Sequence, residues 1–162
     1  MFTAEIHPWE GLVPTVPDRG YQDELTEEWT VEWKMDGRSY RFTVPKGYTF
    51  SPSIPGIFFP LLPTSRFRHA SAPHDWAYFN RGDVEAEVKE NGEWKSLGRP
   101  LTRKEVDRAF IIHAAQVAET INARYGERVA EVKSWQLGLA YIGVRAGGWF
   151  LWYDWPQKLG LK

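Results

Sequence analysis

Four polar side chains have the types and spacing of a hydrolytic site. His74 and Asp75 are consecutive, Tyr78 follows His74 by about one helical turn, and Asp107 lies further along the chain. Consecutive residues of a helix point about 100° apart, so His74 can face a neighbouring helix while Asp75 faces a loop. A carboxylate that holds one imidazole nitrogen leaves the other free to take a proton from water. We therefore expect His74, Asp107 and Tyr78 to form a catalytic group with His74 as the general base.

Asp75 is the candidate metal ligand. Turned away from the helix that His74 faces, it offers a carboxylate to a hard cation such as Ca²⁺. Carbonyl oxygens of the loop at 51–56 can supply further ligands of the kind that calcium prefers. The sequence thus predicts calcium as a cofactor, bound in part by Asp75.

Two hairpins and three helices must position these side chains. Apolar residues alternate on both sides of Asp36-Gly37 and again around Asn91-Gly92, and a two-residue turn of this kind between alternating runs predicts a hairpin. Four prolines between residues 52 and 63 exclude a long helix there and predict a rigid coil. The order of elements predicts an α+β fold in which N-terminal β-hairpins pack on a bundle of about three helices.

The helices are indicated by periodicity and capping. The first is expected over 65–79, with Pro73 marking its start or a kink just before His74. Thr102 and Glu105 form a capping box, which predicts a second helix from Leu101 to about Tyr125. A third is expected from Glu127 to about Ala146. Its predicted apolar stripe consists of Val132, Trp135, Leu139, Ile142 and Ala146.

The composition indicates one domain without a large charged surface. The 162 residues suit a single domain over 1–162, with an extended arm over 1–25, a core over 26–148 and an aromatic segment over 149–162. A net charge of -1 argues against bulk nucleic-acid binding. The first residues lack the pattern of a signal peptide, and no apolar run is long enough for a transmembrane segment. The absence of cysteine excludes disulfides.

Four ordered motifs resemble a family of small phage and prophage proteins of unknown function. The family pattern runs V-P-x-G-F, D-x-A-S-[IV]-P, H-D-x-x-Y and A-D-x-x-F. In this chain the matching segments begin at Val44, Ser53, His74 and Val106, and the likeness covers about residues 40–148. The resemblance implies a protein that resides in the host-cell cytoplasm or in the assembled virion.

The same residues are similar, more distantly, to small prokaryotic phospholipase A2 enzymes. By that likeness His74 activates water, Asp75 holds calcium, and Asp107 with Tyr78 fixes the imidazole. The aspartate that both family patterns place in the upstream loop is Ser51 here, so a calcium site would lack one anionic ligand.

These observations leave more than one function open. The first is a hydrolase in which His74 activates water against an ester or amide of a lipid or cell-wall substrate. The second is a non-enzymatic virion component of the tail or baseplate, which uses the same four residues as a structural polar network and binds other phage structural proteins. A factor that acts on a host protein is a third.

Overall fold

The chain folds into short antiparallel strands followed by long helices. The computed structural model describes residues 15–17, 23–50, 64–125 and 133–158. The elements in these ranges are β1 (Thr15–Pro17), β2 (Asp23–Leu25), β3 (Trp29–Met35), β4 (Arg38–Val44), β5 (Thr49–Phe50), α1 (Thr64–Phe79), β6 (Glu87–Glu90), β7 (Glu93–Ser96), α2 (Arg103–Tyr125) and α3 (Ser134–Lys158). One sheet has the strand order β1-β2-β5 and the other β3-β4-β6-β7. The predicted α+β class, with hairpins on helices, is confirmed.

The first hairpin follows the alternation in its sequence. Val31, Trp33 and Met35 of β3 are buried, while the residues between them are exposed. In the antiparallel register Trp33 lies opposite Tyr40 of β4, and the two rings stack with centroids 5.6 Å apart. Asp36 and Gly37 both have positive φ, 52° and 80°, as a tight two-residue turn of this hand requires. The hairpin therefore presents one apolar face to the helices.

The second hairpin joins the same sheet and lies in sequence between α1 and α2. β6 and β7 pair around Asn91 and Gly92, which also have positive φ, and β6 pairs with β4 through Tyr40 and Val88. The predicted hairpin is confirmed. Because it extends the sheet, the chain leaves the helices after α1 and returns to begin α2.

Helix α1 continues through Pro73, so this proline does not mark a helix start; the alternative expectation of a kink stays a prediction. It spans Thr64–Phe79 with Pro73 in its interior. The ring of Pro73 is among the fully buried side chains. Packing of that ring in the core offsets the loss of the hydrogen bond that a proline cannot donate, so tertiary contacts outweigh the low intrinsic helix propensity of proline.

Helix α2 begins at its capping box. The Thr102 amide donates to Glu105 Oε2 at 2.7 Å, and the Glu105 amide donates to the Thr102 hydroxyl at 3.3 Å. The helix spans Arg103–Tyr125, so its start lies two residues beyond the expected Leu101, and its described part reaches Tyr125, the predicted end. Asp107, Phe110 and Ala114 lie on its buried side.

Helix α3 differs from expectation in both its range and its buried face. It begins at Ser134 rather than Glu127 and runs to Lys158, through much of the aromatic segment. Three members of the predicted stripe are exposed, namely Trp135 at 53%, Ile142 at 60% and Ala146, whereas Leu139 packs partly against the core. Val132 lies outside the described residues. The buried residues of α3 are Gln136, Ala140, Gly143, Val144 and Gly148, and four of these five are small. Small side chains allow close approach of the helix backbones, which periodicity of large apolar residues does not predict.

Two expected features fall partly or wholly outside the described residues. Residues 51–63, which contain the proline-rich coil, and most of the arm over 1–25 are among these. Within the arm, β1 and β2 pair antiparallel over three residues, with Thr15 opposite Leu25 and Pro17 opposite Asp23. Among the described residues, no helix is apolar over a length that would cross a membrane.

Candidate active site

Helices α1 and α2 are brought together by a backbone link at the base of the second hairpin. The Gly82 amide donates to Ala77 O at 2.7 Å and so closes the end of α1, while the Leu101 amide donates to Gly82 O at 2.9 Å just before α2. Gly82 has a φ of +81°, and a Cβ there would lie 2.8 Å from the Leu101 carbonyl carbon and closer still to its oxygen. From this link α1 runs back to His74 and α2 runs forward to Asp107, which places the two side chains at the same level.

Asp107 is the centre of the site. It is completely buried, with 0% of its surface exposed. Its Oδ1 accepts hydrogen bonds from the Tyr78 hydroxyl, in a short contact, and from His74 Nε2 at 3.3 Å. Its Oδ2 accepts from an Arg145 terminal nitrogen at 2.8 Å and lies 3.6 Å from Arg103 Nε. All three helices therefore contribute donors or positive charge to one carboxylate.

The two ring nitrogens of His74 face different carboxylates. Nε2 faces Asp107, and Nδ1 lies 3.5 Å from Asp75 Oδ1. Within the described ranges, Nδ1 is a buried atom with no hydrogen bond of normal geometry. The imidazole is packed between the rings of Tyr78, 4.3 Å away, and Phe110, 4.8 Å away. The ring is thus held in one orientation with Nδ1 on the side of Asp75.

The pKa values at the site depart in directions that suit an ion pair. Burial lowers the pKa of His74, but the hydrogen bond to Asp107, the close contact with Asp75 and the charges of both carboxylates outweigh it and raise the pKa above 6.5. Burial raises the pKa of Asp107, yet hydrogen bonds from His74, Tyr78 and Arg145 hold it below 3.8. Burial and the neighbouring Asp107 raise the pKa of Tyr78, so its hydroxyl stays protonated and able to donate. Asp107 is therefore the anion of the site at neutral pH.

Asp75 lies on the more open side of His74. Its side chain is 27% exposed, compared with 5% for His74. Burial and the charge of Asp75 raise the pKa of the nearby Tyr48, whose ring also contacts Trp76 edge-on at 5.1 Å. Calcium requires six to eight oxygen ligands. No group of three or more acidic or histidine residues able to hold a metal occurs among the described residues, and the loop expected to add carbonyl ligands, 51–56, lies outside them. Calcium binding at Asp75 therefore stays a prediction.

The comparisons with known proteins identify a family. The model of the family described as "Protein of unknown function (DUF1353)" matches residues 24–144. The chain belongs to this family. No curated protein and no solved structure matches the chain. The family carries no assigned reaction, so any function of this DUF1353 protein has to be argued from its own residues.

Of the predicted site residues, His74, Tyr78 and Asp107 of this DUF1353 protein meet directly, and Asp75 adjoins His74. The sequence prediction missed the two arginines. Arg103 precedes Asp107 by one turn, and that i,i+4 spacing of opposite charges could have indicated it. Arg145 is 38 residues from Asp107 and on another helix, and no local pattern connects them.

Proposed function

We propose that this protein is a small hydrolase in which His74 activates a water molecule against an ester or amide carbonyl, with esters of a lipid or a cell-wall fragment as the substrate class. The observation that carries the proposal is the asymmetry of the imidazole. A fully buried carboxylate holds Nε2, while Nδ1 has no hydrogen bond of normal geometry within the described part of the chain. A general base requires one fixed nitrogen and a second that water can reach, so the proposal requires water to reach the buried Nδ1 from the side of the partly exposed Asp75.

The proton transfers follow from that arrangement. At a pH above the raised pKa of His74, the Nε2–H donates a hydrogen bond to Asp107 and Nδ1 carries a lone pair. Nδ1 then accepts a proton from water as the water oxygen bonds to the carbonyl carbon. When the carbon–oxygen bond to the leaving alcohol breaks, Nδ1–H returns the proton to the alkoxide oxygen. Asp107 remains ionised throughout and stabilises the imidazolium that forms between the two steps. Tyr78 donates to the same Asp107 oxygen and fixes its position.

Hydrolysis assays on the purified chain and two histidine variants test the proposal. The substrates are a short-chain nitrophenyl ester, phospholipid vesicles and peptidoglycan fragments, each with added Ca²⁺ and with a chelator. We expect His74→Gln to lose on the order of 10²-fold or more in kcat. His113→Gln is the matched control, because it alters another buried histidine that does not contact Asp107, and it should retain activity. Equal hydrolysis by the wild type and His74→Gln, or none by the wild type on any substrate, would overturn the proposal.

A virion component without catalysis is the second candidate, and burial favours it. Asp107 is fully buried and His74 is only 6% exposed, while donors from α1 and α3 converge on Asp107. A polar network of this kind can serve to fix three helices relative to one another. The exposed Trp135 and Ile142 of α3 would then contact another virion protein. This candidate predicts that His74→Gln unfolds at a markedly lower temperature and that the wild type hydrolyses none of the substrates.

A further inference from the structure

Helix α3 contacts the His74–Asp107 pair through residues that the proposed reaction does not use. Arg145 donates to Asp107 Oδ2 at 2.8 Å. One turn on, Gly148 lies against the Tyr78 ring, and Trp152 meets that ring edge-on with centroids 5.0 Å apart. These three positions recur at three or four residues, so they share one side of α3.

Gly148 allows Tyr78 to approach the helix backbone. A Cβ at this position would lie 2.7 Å from Tyr78 Cε1, 2.9 Å from Cζ and closer still to the hydroxyl oxygen. A methyl group there must displace either the ring or the helix. The Tyr78 hydroxyl and His74 Nε2 share Asp107 Oδ1, so a displaced ring changes the oxygen that holds the imidazole.

Arg103 ties α3 to the same group from the side of α2. Its Nε donates to the Tyr78 hydroxyl at 3.1 Å. Its terminal nitrogen donates to the Val144 carbonyl at 3.3 Å and, in a shorter contact, to the Arg145 carbonyl. The side chain of Arg103 is only 10% exposed. A shift of α3 would therefore disturb both arginines at once.

We propose that Arg145 and Gly148 of α3 are positioning residues, which keep the Asp107 carboxylate and the Tyr78 hydroxyl in the arrangement that orients the His74 ring. Arg145 holds one carboxylate oxygen, and Gly148 admits the tyrosine that holds the other. The inference deepens the proposed function and rests on it for its catalytic consequence. A displacement of α3 would therefore separate Arg145 from Asp107 and disturb the Arg103 side chain that donates to Tyr78.

A pair of glycine variants on α3 tests the inference. Gly148→Ala introduces the clash with Tyr78, whereas Gly138→Ala adds the same methyl group where nothing lies within 4 Å. The first readout is the ¹H–¹⁵N NMR signal of the His74 Nε2–H group at one fixed pH. The second is kcat and KM for the best substrate. We expect Gly148→Ala to shift or lose the signal and to lower kcat by about 10²-fold, since small displacements of catalytic groups have effects of that size. KM should change much less, and Gly138→Ala should match the wild type in both readouts.

Arg145 variants provide a second test if Gly148→Ala does not fold. The Arg145 side chain is 37% exposed, so replacement leaves little buried space behind. We expect Arg145→Gln to weaken the His74 Nε2 signal and Arg145→Lys to restore most of it, because lysine retains the charge on Asp107. A wild-type signal in both Gly148→Ala and Arg145→Gln would overturn the positioning role. Failure of the wild type to hydrolyse any substrate would overturn the proposed function alone, because the signal is read without a substrate.

Discussion

At the scale of single residues, the most demanding feature is the buried negative charge of Asp107. An ionised carboxylate in a protein interior is stable only when hydrogen bonds and opposite charges compensate for the lost water. Asp107 has both, from Tyr78 and His74 on one oxygen and from Arg145 on the other. Its partners come from three helices, so the carboxylate couples the chemistry of His74 to the packing of the helices.

Replacement of Asp107 should therefore lower the free energy of unfolding more than replacement of an exposed carboxylate in a similar ion pair. We expect Asp107→Asn to lower the free energy of unfolding by about 3 kcal/mol, because Arg103 and Arg145 lose their anion while Arg103 stays nearly buried. Urea denaturation measures this change. Asp36→Asn is the matched control, since Asp36 binds Arg108 through two contacts of 2.7 and 2.8 Å at the surface. It should leave stability almost unchanged, and similar losses in the two variants would contradict the compensation argument.

The sequence predicted part of this residue-scale arrangement. His74, Tyr78 and Asp107 could be placed together because helical spacing relates the first two and an expected antiparallel helix pair brings in the third. Arg145 could not be placed, because its contact depends on how α3 packs. That packing brings the small residue Gly148 against the Tyr78 ring, a contact that the periodicity of large apolar side chains does not detect. The functional roles of these residues remain predictions.

At the scale of elements, the second hairpin acts as an insertion whose base fixes the register of α1 against α2. Gly82 and Leu101 are bonded through the backbone, so the residues between them leave the helix pair and return to nearly the same point. Sequence patterns predicted the hairpin from Asn91-Gly92 and the helix start from Thr102 and Glu105, both of which are local signals. The link at its base is a tertiary contact, and no local pattern indicated it.

A substitution at Gly82 should weaken the link and with it the alignment of His74 with Asp107. Gly82→Ala must both adopt a φ of +81° and displace the Leu101 carbonyl. We expect a loss of more than about 2 kcal/mol in the free energy of unfolding, which combines backbone strain with a steric clash. Gly92→Ala is the matched control, since its φ is +89° but nothing lies within 4 Å of the added methyl group. It should lose only about 1 kcal/mol, from strain alone. Equal losses would indicate that the close contact at Gly82 is unimportant.

At the scale of the whole molecule, two buried histidines give stability opposite dependences on pH. The pKa of His74 is raised above 6.5 by Asp107 and Asp75 against the effect of burial. Its stabilising contribution is therefore complete below pH 6.5 and is lost as the pH rises through its folded-state pKa. Burial, assisted by the charge of His74, lowers the pKa of His113 to about 4. His113 packs edge-on against Trp33 at 5.4 Å and connects α2 with the sheet.

The acid limb of the stability profile should thus report His113. Between pH 6.5 and 4 the unfolded chain binds a proton at this histidine that the folded chain does not bind, so the free energy of unfolding falls as the pH is lowered. The difference in pKa corresponds to roughly 3 kcal/mol. His113→Leu removes the titrating group. We expect the drop in the free energy of unfolding between pH 7 and 4 to be smaller in this variant than in the wild type, by about the same 3 kcal/mol. Urea denaturation at each pH measures the drop. Asp107, whose pKa is held below 3.8, also loses stabilising effect toward acid, but it does so equally in the wild type and in His113→Leu, so the difference between the two proteins reports His113. If stability falls as steeply toward acid in His113→Leu as in the wild type, His113 is protonated in the folded state. The contact of a neutral His113 with Trp33 would then be wrong.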